Sequence, residues 1–219
     1  MTKIQVYLMP GLAASSSIFE RIELPKNQFQ VHYLEWFMPK SNETLKNYAE
    51  RMAEKVTEKN SVLIGVSFGG ILVQEMAQFL NPSKIIIISS VKSAFELPRR
   101  MKIAKTTKAY KLIPTSLLAN VELLVKYAFG DVLKQRLKLY ERYLHMRNKE
   151  YLDWSIEQVI NWDRKIIDPR VIHIHGDNDE VFPAKYLNKY TNLKGGTHIM
   201  ILNRFKWFNQ NLPKIILND

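Results

Sequence analysis

The stretch Ile64-Gly65-Val66-Ser67-Phe68-Gly69-Gly70 contains a Gly-x-Ser-x-Gly motif at a point where the sequence pattern changes. Residues 62–64 before it form an apolar run, and residues 71–80 after it have the apolar spacing of an amphipathic helix. A serine at such a strand-to-helix turn holds its hydroxyl above the sheet edge, close to the N–H groups of the new helix. The motif therefore predicts a serine nucleophile at position 67. A glycine-rich turn that only joins a strand to a helix is the alternative.

A serine nucleophile requires a histidine base, and the base requires an acid that fixes its tautomer and stabilises its positive charge. Of the five histidines, only His198 lies in a glycine turn, between a short predicted strand and the final helix. The buried strand predicted at 171–175 leads into an acidic loop at 176–183, which carries Asp177 and Asp179. Serine, aspartate and histidine therefore follow one another in the chain order typical of one fold.

These three motifs resemble those of the α/β-hydrolase superfamily, and the resemblance extends over nearly the whole chain. The stretch around Ser67 is similar to its nucleophile elbow, residues 175–183 to its acid loop and residues 195–198 to its histidine loop. The resemblance implies that Ser67 is the nucleophile and His198 the general base and acid. It also implies that Asp179, three residues after the glycine of its loop, is the orienting carboxylate.

The resemblance further implies an oxyanion hole made of two backbone N–H groups. One belongs to Phe68, directly after the nucleophile. The other is expected from the turn Met9-Pro10-Gly11-Leu12-Ala13, where Leu12 follows the glycine and Ala13 competes with it. This turn often contains His-Gly in the superfamily, whereas Met9-Pro10 precedes the glycine here. We therefore expect the turn to lack a side-chain hydrogen bond that would brace it.

Other polar residues near these motifs are expected to have structural roles. Asp177 competes with Asp179 for the acid role, and its alternative is a turn residue that accepts hydrogen bonds from nearby N–H groups. His173 and His175 alternate along a predicted strand and so face the same side, either as packing residues or as a support for the acid loop. Ser89 and Ser90 end a strand and are candidates for the pocket wall, but no glycine turn surrounds them.

The sequence indicates no metal or cofactor site. Zinc sites need clustered Cys, His or carboxylate ligands, whereas this chain has no cysteine and the pair His173-x-His175 stands alone. Glycine-rich loops of the P-loop or dinucleotide-binding type are also missing. We therefore expect the protein to use no cofactor.

The composition agrees with one globular domain. A chain of 219 residues, 46 % of them hydrophobic, has enough apolar side chains for a substantial core. No apolar run approaches the ~18 residues that a membrane helix needs, and the N-terminal segment lacks the pattern of a signal peptide. Together with the lack of disulfide-forming cysteines, these features favour a cytoplasmic location. We expect a monomer or a homodimer.

Strands and helices alternate along the chain, which predicts an α/β fold with a mostly parallel, doubly wound sheet of about six strands flanked by helices. Residues 85–88 are an unbroken run of isoleucine, typical of a parallel strand covered on both faces. Residues 42–56 predict a capped amphipathic helix. By resemblance, the first two strands of larger α/β-hydrolases are missing. The six strands are predicted near residues 3–8, 29–35, 61–66, 84–89, 170–175 and 189–194.

Residues 91–165 interrupt this pattern and separate the two parts of the predicted core, 1–90 and 166–219. They predict successive helices punctuated by proline and glycine. By resemblance, their position matches a helical lid, which excludes water and shapes the substrate cavity. Five aromatic residues are candidates for the pocket wall, with packing of the lid on the core as the alternative for each: Phe95, Tyr127, Phe129, Trp154 and Trp162.

The predicted lid carries most of the positive charge. It has 16 Lys and Arg against 8 Asp and Glu, a net charge of +8 out of +11 for the whole chain. This charge favours an anionic small-molecule substrate or an acidic carrier, or it forms a solvated helix face. We expect neither nucleic acid nor a membrane as a partner, because no nucleic-acid-binding module is recognisable. A dense basic band in this segment consists of Arg99, Arg100, Lys102, Lys105, Lys108 and Lys111.

These features together predict a serine hydrolase that cleaves a small-molecule carboxylic ester or thioester through an acyl-enzyme. The same triad in the same fold also supports lyase chemistry, and hydrolysis of carbon–carbon bonds next to a carbonyl. A non-catalytic receptor that binds a small molecule in the capped cavity is an alternative from a different class.

Overall fold

Six strands form a parallel sheet in the computed structural model, which describes residues 2–112 and 142–218. Across the sheet the strands follow the order 2-1-3-4-5-6, and all neighbouring strands are parallel. Each strand begins and ends within two residues of its predicted position. In chain order the strands are β1 (Ile4–Met9), β2 (Phe29–Tyr33), β3 (Val62–Val66), β4 (Lys84–Ile88), β5 (Val171–Gly176) and β6 (Thr191–Leu193).

Helices connect the strands and cover both faces of the sheet. The helix predicted at 42–56 is shorter than expected, because it begins only after Thr44, whose Oγ1 accepts a hydrogen bond from the N–H of Asn47 at 3.2 Å. Short 3₁₀ helices occur at Ser16–Phe19, Ala94–Glu96, Ala109–Leu112 and Ala184–Tyr186. The α-helices of the described residues are α1 (Leu45–Ala53), α2 (Phe68–Met76), α3 (Arg99–Thr107), α4 (Lys149–Asn161), α5 (Met200–Asn203) and α6 (Phe205–Leu217).

The core is centred on β3 and β4. Every residue of β3 is buried, and so are the four isoleucines of β4, as expected for parallel strands covered on both faces. Helix α2 is buried along its whole length and packs against β3 and α1. Helix α1 buries one face, on which the apolar residues follow helical spacing. The residues of that face are Leu45, Tyr48, Ala49, Met52 and Ala53.

The strand order places the predicted site residues at one edge of the sheet. From β1 the chain moves outward to β2 and then returns to the other side of β1 with β3. The loops after β1 and β3 therefore leave in opposite directions, and ligands of open α/β sheets bind in the crevice between such loops. Since β5 and β6 are parallel to them, their following loops lie at the same edge. Loops after four strands can thus contribute to one site.

The segment that returns from residues 91–165 contacts the loop after β1. The N–H of Ser15 donates to the carbonyl of Tyr143 at 2.8 Å, and the N–H of Met146 donates to the carbonyl of Ala13 at 3.1 Å. The described parts of 91–165 include α3 and α4. That these residues form a separate lid stays a prediction, and the pocket candidates Tyr127 and Phe129 lie outside the described residues.

Candidate active site

Ser67 lies on a sharp turn between β3 and α2. Its backbone has φ 54° and ψ −120°, a conformation that is strained for any residue other than glycine. The end of β4 and the residues after it hold this backbone in place. The N–H of Ser67 donates to the carbonyl of Ile88 at 2.9 Å, and its carbonyl accepts a hydrogen bond from Ser90 Oγ at 2.7 Å. Ser90 therefore supports the turn instead of lining the pocket.

The glycines of the motif are required by close backbone approaches. A Cβ added to Gly65 would lie 2.3 Å from the carbonyl oxygen of Gly69, and one added to Gly69 would lie 2.3 Å from the carbonyl oxygen of Pro10. Neither distance is compatible with a side chain. The first turn of α2 can therefore pack directly against the end of β1, which brings Ser67 next to the loop that follows β1.

The structure brings Ser67, His198 and Asp179 together in one chain of hydrogen bonds. His198 Nε2 is 2.9 Å from Ser67 Oγ, and His198 Nδ1 is 2.9 Å from Asp179 Oδ2. An ionised carboxylate only accepts hydrogen bonds, so Nδ1 carries the proton and Nε2 is left to accept from the serine hydroxyl. This is the tautomer in which histidine can take up a proton from the serine.

Asp179 is held as a carboxylate although its side chain is fully buried. Burial by itself disfavours the charged form. The neighbouring His198 favours the charged form, and so do hydrogen bonds to Oδ1 from the N–H groups of Val181 (2.8 Å) and Phe182 (2.9 Å). Together they outweigh the effect of burial and lower the pKa of Asp179 below its ordinary value. The residue is therefore ionised at neutral pH and can stabilise a protonated His198.

Asp177, the competing acid, has a different position. Its Oδ1 accepts a hydrogen bond from the N–H of Gly195 at 2.6 Å, in an exposed part of the surface. This contact ties the acid loop to the loop that carries His198. Asp177 therefore has the turn-forming role that the sequence offers as its alternative.

His173 and His175 lie side by side under the acid loop. His175 Nε2 donates to the carbonyl of Phe182 at 2.9 Å, which leaves its Nδ1 to accept from His173 Nε2 at 3.1 Å. His175 Nε2 is also 3.4 Å from Asp179 Oδ2. Both rings are buried. This pair supports the loop that holds Asp179, as the sequence suggests, and burial lowers the pKa of both histidines.

Because burial lowers the pKa of both histidines in the folded protein, we expect the protein to lose stability in mild acid. In the unfolded chain each takes up a proton near its ordinary pKa of 6.5. Below that pH the unfolded state binds more protons, so the free energy of unfolding falls as the pH falls, by up to about 1.4 kcal/mol per pH unit for each histidine. Urea denaturation between pH 5 and 7 measures the slope.

The variant His173→Gln tests this origin, since a glutamine amide can still donate to His175 without titrating. We expect it to reduce the slope by about the contribution of one proton. An unchanged slope in His173→Gln would contradict the assignment.

The predicted oxyanion residues lie on either side of Ser67. Phe68 is the first residue of α2, and Leu12 lies with Gly11 in the wall of the cleft next to Ser67. The competing donor Ala13 is already engaged, because its N–H donates to the hydroxyl of the buried Tyr151 at 3.3 Å. Leu12 is therefore the better candidate for the second donor.

The loop after β1 is braced by side chains, contrary to the expectation from Met9-Pro10. Trp36 Nε1 donates to the carbonyl oxygen of Gly11 at 2.7 Å, and the Tyr151 hydroxyl accepts from Ala13. Both partners are distant in sequence: Trp36 lies in the loop after β2, and Tyr151 lies in α4. Sequence reasoning missed them because no local pattern links a tryptophan after one strand to the loop of another.

An apolar cleft of about 520 Å³, including the part open to solvent, adjoins Ser67 and His198. Among the described residues, no Lys, Arg, Asp or Glu lines it, and Tyr143 turns its hydroxyl to Glu20 Oε1 at 2.7 Å. The cleft is lined by Gly11, Leu12, Ala14, Ile18, Val66, Ser67, Tyr143, Leu144, His198, Ile199, Ile201 and Leu202.

The described aromatic candidates for the pocket wall do not line the cleft. Trp154 is buried, and its Nε1 donates to the carbonyl of Glu43 at 2.7 Å. Trp162 is also buried and donates to Glu75 Oε1 at 2.9 Å. Phe95 is 66 % exposed. The alternative of structural packing therefore fits both tryptophans.

Helix α3 carries the first four residues of the basic band and has no buried residue. Some of its cations contact backbone carbonyls. Arg100 donates to the carbonyls of Glu180 (2.7 Å) and Val181 (2.9 Å) in the acid loop, and Lys102 donates to that of Phe95 at 2.8 Å. The side chain of Arg100 thus links α3 to the loop that holds Asp179.

No group of three or more His, Cys, Asp or Glu side chains in 2–112 and 142–218 is placed to hold a metal ion. In the same part of the chain, no helix combines the length and the apolar character needed to cross a membrane.

No protein-family model and no curated protein sequence matches the chain. Solved structures are similar to it over nearly its whole length. A hydrolase from Pseudomonas aeruginosa PA01 has a TM-score of 0.75 and 15 % identity, covering 99 % of this chain and 91 % of its own. An esterase from Exiguobacterium antarcticum has a TM-score of 0.71 and 14 % identity, covering 99 % and 93 %. A bromoperoxidase from Bacillus anthracis has a TM-score of 0.69 and 18 % identity, also covering 99 % and 93 %. The resemblance carried by the three motifs is confirmed in the architecture, and the chain has the α/β-hydrolase fold.

Proposed function

We propose that the protein is a serine hydrolase that cleaves a small, uncharged carboxylic ester or thioester. The observation that carries this proposal is the unbroken hydrogen-bonded chain from Ser67 Oγ through His198 to Asp179, with 2.9 Å at both contacts, beside an apolar cleft. An esterase and a hydrolase among the similar structures support it, since they show that this fold is used for such reactions.

The proposed reaction has two steps. Ser67 Oγ attacks the carbonyl carbon while its proton moves to His198 Nε2, and the oxyanion accepts hydrogen bonds from the N–H groups of Phe68 and Leu12. His198 then gives the proton to the departing alcohol or thiol, which leaves an acyl-enzyme on Ser67. In the second step, water attacks this ester with His198 as the base. Serine is released together with the carboxylic acid, and the proton returns to the hydroxyl.

The lining of the cleft favours a neutral group next to the scissile bond. A carboxylate placed there would lose its hydration and gain no cationic partner from the described residues. The lysines of α3 do not compensate, since none of them lines the cleft. We therefore propose that the positive charge of residues 91–165 does not select the acyl group. This proposal replaces the anionic substrate that the charge of the sequence favours.

A pair of esters of similar size tests this substrate class. We expect p-nitrophenyl butyrate to be hydrolysed with a kcat/KM at least about tenfold higher than p-nitrophenyl hemisuccinate, because only the second places a carboxylate in the apolar cleft. Initial rates at pH 7.5 over a range of substrate concentrations give both values. Equal rates, or a preference for the hemisuccinate, would contradict a neutral substrate.

A fluorophosphonate probe tests the nucleophile independently of the substrate. We expect the folded wild-type protein to be labelled on Ser67, which mass spectrometry of the labelled peptide would locate. Folded protein that is neither labelled nor active on any of these esters would favour a small-molecule receptor or a lyase that forms no covalent intermediate. A cytoplasmic location and a monomeric or homodimeric state stay predictions.

A further inference from the structure

The peptide group between Gly11 and Leu12 carries two functions at once. Its carbonyl oxygen accepts the hydrogen bond from Trp36 Nε1 at 2.7 Å, and its N–H is the second donor proposed for the oxyanion. The peptide is trans, so the carbonyl and the N–H point in opposite directions within one plane. A donor that holds the carbonyl on one side therefore aims the N–H to the other side.

The other side of this peptide is the cleft. Gly11 approaches the nucleophile so closely that a Cβ added to it would lie 3.4 Å from Ser67 Cβ. Gly11 and Leu12 both line the cleft with Ser67. Within the described residues, the N–H of Leu12 makes no hydrogen bond. It is therefore available to an oxygen bound next to Ser67.

Trp36 also contacts the residue that carries the first donor. Its ring stacks on that of Phe68, with 4.9 Å between the ring centroids and 9° between the planes. Tyr48 and Tyr151 pack against the same indole, with centroids at 6.0 Å and 5.6 Å. Trp36 is 6 % exposed, so its hydrogen bond does not compete with water. One rigid side chain thus touches both segments that supply the oxyanion donors.

We propose that Trp36 is a positioning residue for the reaction, which orients the Gly11–Leu12 peptide and holds it in register with Phe68. This inference rests on the proposed function, because the position of the Leu12 N–H matters only if a negative oxygen forms there. Trp36 takes the place of the side-chain brace that Met9-Pro10 does not provide. Trp36 therefore contributes more to stabilising the transition state, where the oxygen becomes negative, than to binding the substrate.

The variant Trp36→Phe removes the indole N–H and keeps an aromatic ring against Phe68. Loss of a whole oxyanion donor costs about 10²–10³ in kcat, and a donor that is only misaligned should cost less. We expect kcat for p-nitrophenyl butyrate to fall about tenfold while KM stays within about twofold. A role in stability alone would not produce this split between kcat and KM.

Trp154→Phe is the matched control. Trp154 is also buried, packs on Phe68 with a centroid distance of 5.9 Å, and donates its Nε1 to a backbone carbonyl, that of Glu43, at 2.7 Å. The control therefore removes the same kind of hydrogen bond from the same cluster without touching the loop after β1. We expect its kcat to stay within about twofold of the wild type. Thermal unfolding of both variants separates loss of stability from loss of rate.

The outcomes distinguish this inference from the proposed function. Equal losses of kcat in both variants, or an unchanged kcat in Trp36→Phe, would overturn the positioning role while the hydrolase assignment stands. A wild type inert towards both the ester and the fluorophosphonate would overturn the hydrolase assignment and this inference with it. If Trp36→Phe does not fold, Trp36→Tyr tests the same contact, with the same expected fall in kcat and the same contrary result.

Discussion

Replacement of Ser67 by alanine is expected to lower kcat/KM for p-nitrophenyl butyrate by on the order of 10⁴-fold or more. The change removes the hydroxyl that we propose forms the acyl-enzyme, while the proposed oxyanion donors and the cleft remain and leave a small residual rate. The fold should persist, because alanine keeps the Cβ and the lost hydroxyl has a single hydrogen-bond partner among the described residues, His198 Nε2. Steady-state kinetics and fluorophosphonate labelling measure the loss, and circular dichroism checks the fold.

Ser89→Ala provides the control for this experiment. Ser89 is buried near the same sheet edge, and its Oγ has no hydrogen-bond partner among the described residues. It does not line the cleft. Its hydroxyl can therefore be removed without affecting the reaction, and we expect both labelling and turnover to be retained. Full activity in Ser67→Ala would exclude Ser67 as the nucleophile.

The second large effect is expected for Asp179→Asn, with a fall in kcat of about 10³–10⁴-fold. Asparagine can still accept the hydrogen bonds from Val181 and Phe182 at Oδ1, so the loop should keep its shape. Its amide N–H₂ would face His198 Nδ1 and favour the tautomer with the proton on Nε2. In that tautomer, His198 cannot take the proton from Ser67. Discontinuous assays at high enzyme concentration can measure the remaining rate.

Asp177→Asn is the matched control, two residues away on the same loop. Its amide oxygen can still accept from the N–H of Gly195, so the tie between the two loops should survive. We expect kcat to change by less than about threefold. If Asp177→Asn loses as much activity as Asp179→Asn, the acid role of Asp179 is contradicted.

The sequence predicts local features of this protein well, because they depend on neighbouring residues. The central strands follow from short apolar runs, and the isoleucines at 85–88 show that β4 is covered on both faces. The glycines around Ser67 indicate a strained turn, which the φ of 54° confirms. The choice of Asp179 over Asp177 required the spacing known from the superfamily, since both aspartates follow the same strand.

The features that the sequence does not predict depend on the order of the strands. Trp36 and Gly11 are 25 positions apart, and Tyr151 and Ala13 are 138 positions apart. These contacts exist only because β1 lies between β2 and β3, and because the chain returns from residues 91–165 onto the loop after β1. The apolar lining of the cleft cannot be predicted from the sequence for the same reason, since its residues come from several separate segments.

The backbone at position 67 has a consequence for engineering. A glycine would adopt φ 54° and ψ −120° with less strain than serine, by on the order of 1 kcal/mol. Selection for heat resistance alone would thus favour Ser67→Gly, a change that deletes the hydroxyl proposed as the nucleophile. Directed evolution of this protein should therefore select for turnover in every round.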